Sequence, residues 1–258
     1  MNPQRTAYLQ DEMDRMVSKF HSGQQFGSAA KFAIAFVDDL IERLIREANN
    51  RACANLFVKI KRTELPFPYN EPIYVRNAIL SPNLDINQED DTIEQIAEHF
   101  KQSLYDNVLI DAIERLEKNI QRVGYETAVD KVGLLLGLIT TTDKPVSQAQ
   151  LTHRNGRIIC KLGESVDTKR LERVLPHLFV IDKAIGKKGM ADAVAKYLRN
   201  RDELMSGDVV NHEGAVCIEV FKCHLNVCFY RSTFDDLYKF LKKHESPSCL
   251  TKSIELAA

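Results

Sequence analysis

Apolar positions recur at helical spacing through most of this chain and alternate only in a few short runs. Leu9, Met13, Met16, Val17 and Phe20 mark a first helix over 6–20. Phe32, Phe36, Leu40, Leu44 and Ala48 mark a longer one, opened by Ser28 as an N-cap and running to Asn50. The run from Leu56 to Lys61 alternates and predicts a strand, with Ile73 to Leu80 as its partner, so a small hairpin is expected within 55–80. Pro66, Pro68 and Pro72 exclude a helix between them. Residues 81–91 are polar and acidic and read as an exposed loop.

Thr92 with Gln95 forms a capping box ahead of the stripe Ile93, Ile96, Ala97, Phe100, Leu104. The spacing then becomes four-three through Leu109, Ile113, Leu116, Ile120 and Val123, and Gly124 is the expected helix stop. A four-three seam is suited to pairing with a second helix, which makes Leu109, Ile113, Leu116 and Ile120 the candidate oligomer interface. The competing reading is a bundle helix packed within its own chain. Residues 126–139 predict a further buried helix, and the polar stretch 140–145, which contains Pro145, is the expected domain boundary.

Beyond it, Asn155-Gly156 sits in a tight-turn context between two β-rich runs and predicts a hairpin. A helix capped by Asp167 carries Leu171, Val174 and Leu175 and is expected to end near Pro176. Another is expected from Gly189 to Met205, stopped by Gly207, with Met190, Val194, Tyr197 and Leu198 inside. Residues 215–221 and 225–230 predict a hairpin with Cys223-His224 at its tip, Val220 facing Val227 and Ile218 facing Phe229. Thr233 is the expected cap of a helix through Lys243 whose apolar face is Phe234, Leu237, Phe240 and Leu241. The predicted fold is therefore α+β and predominantly helical. It has a mainly helical domain over 1–140 and an α+β domain over 146–245 that ends in a ββα unit. A flexible tail over 246–258 is expected to follow.

Composition adds the class. With 44% hydrophobic and 28% charged residues, 258 residues suffice for a buried core without staples. The longest apolar run, Val132 to Ile139, is far too short to span a membrane, and the first residues lack the apolar core of a secretory signal. The six cysteines are then expected as reduced, mostly buried thiols, and the expected location is cytoplasmic with no membrane partner. Cys217, Cys223, His224 and Cys228 lie close in sequence but lack the paired spacing of a zinc site, so no metal and no cofactor is assigned.

Charge is the feature that points to a function. The chain is almost neutral, with 35 Lys+Arg against 36 Asp+Glu, yet residues 151–205 hold 12 cations and 7 anions while residues 1–150 hold 17 and 22. A local cationic excess produces a positive field that attracts anionic partners. Arg154, Arg157 and Lys161 fall on the Asn-Gly hairpin, Lys169, Arg170 and Arg173 on the helix after it, and Lys187 and Lys188 ahead of the next. If these share a surface, they would neutralise several phosphates. The leading expectation is a non-enzymatic intracellular binding or regulatory protein that engages nucleic acid through 151–205. The bland counterpart is a solvated face that also contacts the acidic N-terminal part.

Two alternatives come from other features. One is a protein-interaction module, an inhibitor or adaptor acting as an oligomer through the 109–123 seam. The other is a metal-dependent phosphodiesterase using Glu213, Glu219 and Lys222, although that reaction wants a Glu-x-Lys pair on one strand face and the gap here is one residue too long. His153 beside Arg154 is a further acid–base candidate. No phosphate-binding glycine loop, zincin, hydrolase or kinase motif is present, and no motif identifies a family.

Overall fold

The structure is a computed structural model. It describes residues 49–58, 60, 108–141, 151–162, 168–187, 189–212 and 215–252, with scattered positions between 7 and 46. Chain contacts divide into two units, one of 1–52 with 61–120 and one of 53–60 with 121–258. In the first unit, the described positions between 7 and 46 and residues 49–52 are helical. The stretches around Thr92, 73–80 and 81–91 lie outside the described residues.

The helices of the second unit are α1 (49–56, entering from the first unit), α2 (Val108–Leu135, which also crosses between units), α3 (Thr168–Ala184), α4 (Met190–Asn200) and α5 (Arg231–Lys243). Its strands are β1 (Ile139–Thr141), β2 (Thr152–Arg154), β3 (Arg157–Leu162), β4 (Val209–His212), β5 (Val216–Val220), β6 (Leu225–Tyr230) and β7 (Cys249–Thr251). Five strands form an antiparallel sheet in the order β2-β3-β6-β5-β4, and β1 pairs with β7 in a second, two-stranded sheet.

The expected class needs correction. Among the described residues, 57% are helical and 20% strand, in five helices and two antiparallel sheets, which is mixed α+β. A separate helical N-terminal part followed by an α+β part is not clearly shown, since residues 53–60 and the 121–135 portion of α2 group with the C-terminal residues. The chain does not close on a ββα unit either. β5, β6 and α5 do follow one another, but residues 246–252, expected as a loose tail, carry β7 back to β1. Ser246 is buried, and its hydroxyl donates to the Asp130 carboxylate on α2 at 3.0 Å. The Lys252 amide donates to the Leu138 carbonyl at 2.8 Å. This pairing joins segments about a hundred residues apart, and no local pattern announces it.

Several element ends also move, each for a tertiary reason. The described residues from Leu56 to Ile60 are not in a strand: Leu56 ends α1, and Phe57 takes a left-handed φ of 56° that breaks the extended run. The alternation did mark burial, because Leu56, Val58 and Ile60 all face inward. α2 runs straight through Gly124, where a Cβ would stand 2.5 Å from Leu56 Cδ1, so this glycine serves close packing. The stop is Gly137, at φ 69°, with the Leu138 amide donating to the Gly133 carbonyl at 2.8 Å in the pattern of a Schellman cap.

α3 continues past Pro176 to Ala184. Pro176 is exposed, as is Glu172, whose carbonyl loses its usual partner, while Leu171, Val174, Leu178 and Ile181 keep one buried stripe across it. α4 ends at Asn200 rather than Met205, which is exposed, and Gly207 belongs to the turn before β4. Thr233 is not a cap: α5 starts at Arg231 directly from the strand, and Thr233 is buried in its first turn.

The Asn155-Gly156 turn forms as its sequence requires, with φ of 53° and 72° at its two residues. The β5–β6 hairpin forms with its register two residues from the expected one: Val220 pairs with Leu225, Ile218 with Val227 and Val216 with Phe229. Its four-residue tip is closed by the Phe221 amide bonding the His224 carbonyl at 3.0 Å and by stacking of those two rings at 4.5 Å. A shift of two leaves each side chain on its expected face.

One face of the large sheet is the core. Ile158, Cys160, Leu162, Val216, Ile218, Val220, Leu225, Val227 and Phe229 share it by register and are buried. α5 seals it through Phe234, whose ring meets Phe229 edge-on at 5.9 Å. α4 lies on the same face, where Gly189 approaches Ala215 and Val216, and α3 packs on α4.

Candidate functional site

The opposite sheet face carries the polar chemistry. Period-two alternation puts Arg157, Ile159 and Lys161 of β3 there, together with Asn226, Cys228 and Tyr230 of β6 and Cys217 and Glu219 of β5. Register then lines them up in rows across the strands. Arg154, Arg157 and Tyr230 make one row, Ile159, Cys228 and Cys217 the next, and Lys161, Asn226 and Glu219 a third.

The rows are cross-linked by side chains. Arg154 forms an ion pair with Glu219, whose other oxygen accepts from Asn226 Nδ2 at 3.1 Å. Partial burial alone would raise the Glu219 carboxyl, but the bonds from Asn226 and Arg154 outweigh it and hold the group below its ordinary value. Arg157 Nη2 donates to the Tyr230 hydroxyl at 3.4 Å, its guanidinium lies 4.9 Å from that ring's centroid, and Nη1 donates to Cys217 Sγ. Beneath these polar groups Ile159, Cys217 and Cys228 form a small buried cluster of their own. Arg154 remains 53% exposed and Tyr230 43%, so the rim of this face meets solvent.

The cations expected to act together are divided by the sheet. Arg154, Arg157 and Lys161 stand on this face. Lys169, Arg170 and Arg173 lie on α3, in the helical layer on the other side, where Arg170 donates to the Leu134 carbonyl at the end of α2 at 3.5 Å. Lys187 is held in the same layer by an ion pair with Asp236 of α5 and a 3.3 Å bond to the Ser232 carbonyl. Lys188 lies outside the described residues. Of the seam residues, Leu116 and Ile120 are buried within the chain, and the side chains of Leu109 and Ile113 are outside the description.

For the nuclease reading, Glu219 is committed to Arg154 and Asn226, Lys222 is at the exposed hairpin tip, and Glu213 is outside the described residues. His153 is exposed on β2, on the face opposite Arg154. Among the described residues no cluster of His, Cys, Asp and Glu is arranged to hold a metal ion. No described helix is long and apolar enough to cross a membrane.

Sequence reading passed over Tyr230, Asn226 and the Cys217–Cys228 pairing. The signal was present in the alternation of β6, but the two-residue register difference set Cys217 opposite Tyr230 instead of Cys228. No family model, curated protein or solved structure matches this chain.

Proposed function

We propose that this protein is a non-enzymatic binding protein that holds a single nucleic acid strand against the sheet face bearing Arg154, Arg157, Lys161 and Tyr230. The observation that carries this reading is the row Arg154–Arg157–Tyr230, two cations and an exposed ring side by side on three neighbouring strands. Cations beside an accessible ring suit a flexible polyanion with stackable bases, and a base on a protein ring contributes about 1–3 kcal/mol. The Arg154–Glu219 pair does not block the site energetically. An exposed ion pair is worth about 0–1 kcal/mol, so a phosphate can exchange for the carboxylate. The α3 cations have no part in this contact, which makes the proposed surface smaller than the whole basic segment.

The test is fluorescence anisotropy of labelled single-stranded DNA and RNA titrated with the full chain through a salt series. Three phosphate contacts imply a log–log salt slope of about −2. Arg154→Glu and Tyr230→Ala are expected to weaken binding, whereas Arg173→Glu on the helical side leaves it unchanged. An absence of binding at the lowest salt overturns the reading.

A further inference from the structure

Independently of any nucleic acid, we infer that Cys217 and Cys228 are a paired modification site, two thiols set to be joined as a reversible disulfide by a peroxide. The two residues are direct partners on adjacent antiparallel strands, β5 and β6, and their side chains share the polar sheet face. Ladder bonds flank them at Tyr230–Ala215 and Phe221–His224, so the alternation puts Cys217 and Cys228 at a hydrogen-bonded position. Cα atoms there are about 5.5 Å apart. That lies inside the roughly 4.4–6.8 Å span of disulfides, so the Cα separation permits the bond.

The surroundings favour one thiol as nucleophile. Cys228 hydrogen-bonds Cys217, and the Arg157 guanidinium donates to the same sulfur. The hydrogen bond from Cys228 leads in lowering the Cys217 thiol, with the Arg157 charge adding to it, while giving up that hydrogen bond and being buried raise Cys228. Cys160, on the core face of β3, has no such help, and burial pushes it up to about 12. The asymmetry matches an attacking thiolate beside a resolving thiol.

The steps balance with hydrogen peroxide as oxidant. The Cys217 thiolate attacks one peroxide oxygen, the O–O bond breaks, and hydroxide leaves to become water, giving a sulfenic acid. The Cys228 sulfur then attacks that sulfur, the S–O bond breaks, and the departing hydroxide takes the Cys228 proton to leave as water. Two thiols lose two electrons and two protons, and peroxide becomes two waters. A small-molecule thiol reverses the bond by exchange. Both sulfurs are buried, but they lie on the polar face of the sheet, where Arg157 donates to Cys217 and the charges of Glu219 and Arg154 act on Cys228, and peroxide is close to water in size.

Peptide mapping tests this on the full chain exposed to hydrogen peroxide and then alkylated. The expected product is a Cys217–Cys228 linked peptide, lighter by two hydrogens and returned to two alkylated thiols by dithiothreitol. Arg157→Gln is expected to slow its formation by roughly threefold or more near neutral pH, with the loss shrinking at alkaline pH where both proteins hold a thiolate. Cys228→Ser should leave Cys217 as a sulfenic acid that dimedone traps. Oxidation confined to Cys53 or to the exposed Cys223, with Cys217 and Cys228 recovered as free thiols, overturns the inference, as does a rate indifferent to Arg157.

Discussion

Asp182, buried near the end of α3, accepts the backbone amide of Ala191 in the first turn of α4 at 2.8 Å. Gly189 and Met190 add further backbone bonds to the same carboxyl. The Gly189 N-cap of α4 has no side chain of its own to offer, so a residue of the preceding helix satisfies the amides a helix start leaves unpaired. One side chain thus fixes where α4 begins, and α4 in turn lies on the core face of the sheet whose other face bears the candidate site.

Burial outweighs those bonds and lifts the Asp182 carboxyl from 3.8 to about 6. The folded state therefore binds its proton more tightly than the unfolded chain. The associated stability is fully present below the unfolded value near 3.8 and is lost as pH rises through about 6, an effect of roughly 3 kcal/mol. Urea unfolding across pH 4–7 should show wild type losing stability relative to Asp182→Asn over this window. Asp182→Ala should be less stable than Asp182→Asn by about 1–3 kcal/mol, because it strands buried amides that the asparagine oxygen still accepts. Parallel pH profiles for wild type and Asp182→Asn would refute the assignment.

Gly133 and Gly124 separate two uses of a helical glycine. A Cβ on Gly133 would stand 2.2 Å from Ile139 Cδ1 and 3.0 Å from its Cβ, whereas one on Gly124 meets only the end of Leu56 that closely. Alanine gains about 1 kcal/mol of helix propensity at either position, but overpacking against the buried, strand-bound Ile139 costs about 1–3 kcal/mol. Gly133→Ala is expected to lower the denaturation midpoint and Gly124→Ala to change it much less. The reverse order would contradict the packing described.

Removal of residues 247–258 tests whether the chain end is structural. It deletes β7, leaves the β1 edge unpaired and uncovers Ile139. A loss of roughly 2 kcal/mol or more is expected in chemical unfolding, and concentration-dependent light scattering should report the exposed edge. Unchanged stability would mean that the end of the chain is a passive tail.

Arg154 and Glu219 allow binding to be separated from folding. As a partly exposed pair they should show a coupling of about 1 kcal/mol or less in a double-mutant cycle. Arg154→Ala is then expected to leave the unfolding midpoint nearly unchanged while weakening oligonucleotide binding. A large loss of stability would make Arg154 a structural residue first.

What the sequence determined by itself was whatever depends on a few adjacent residues. The Asn155-Gly156 turn was legible because both residues accept positive φ. The buried stripe of α5 was legible from Phe234, Leu237, Phe240 and Leu241, and the alternation of β5 and β6 gave the correct faces because side-chain direction has a period of two. Tertiary structure decided everything set by partners distant in sequence. Gly124 looked like a stop until Leu56 was against it, and Pro176 looked like an end until the stripe on its far side proved to be buried. The β1–β7 pairing, the pairing of Cys217 with Cys228 and the division of the cations between the two sides of the sheet all follow from which strands meet and in which register. That is a sum of many long-range contacts, each weak alone, which no local window contains.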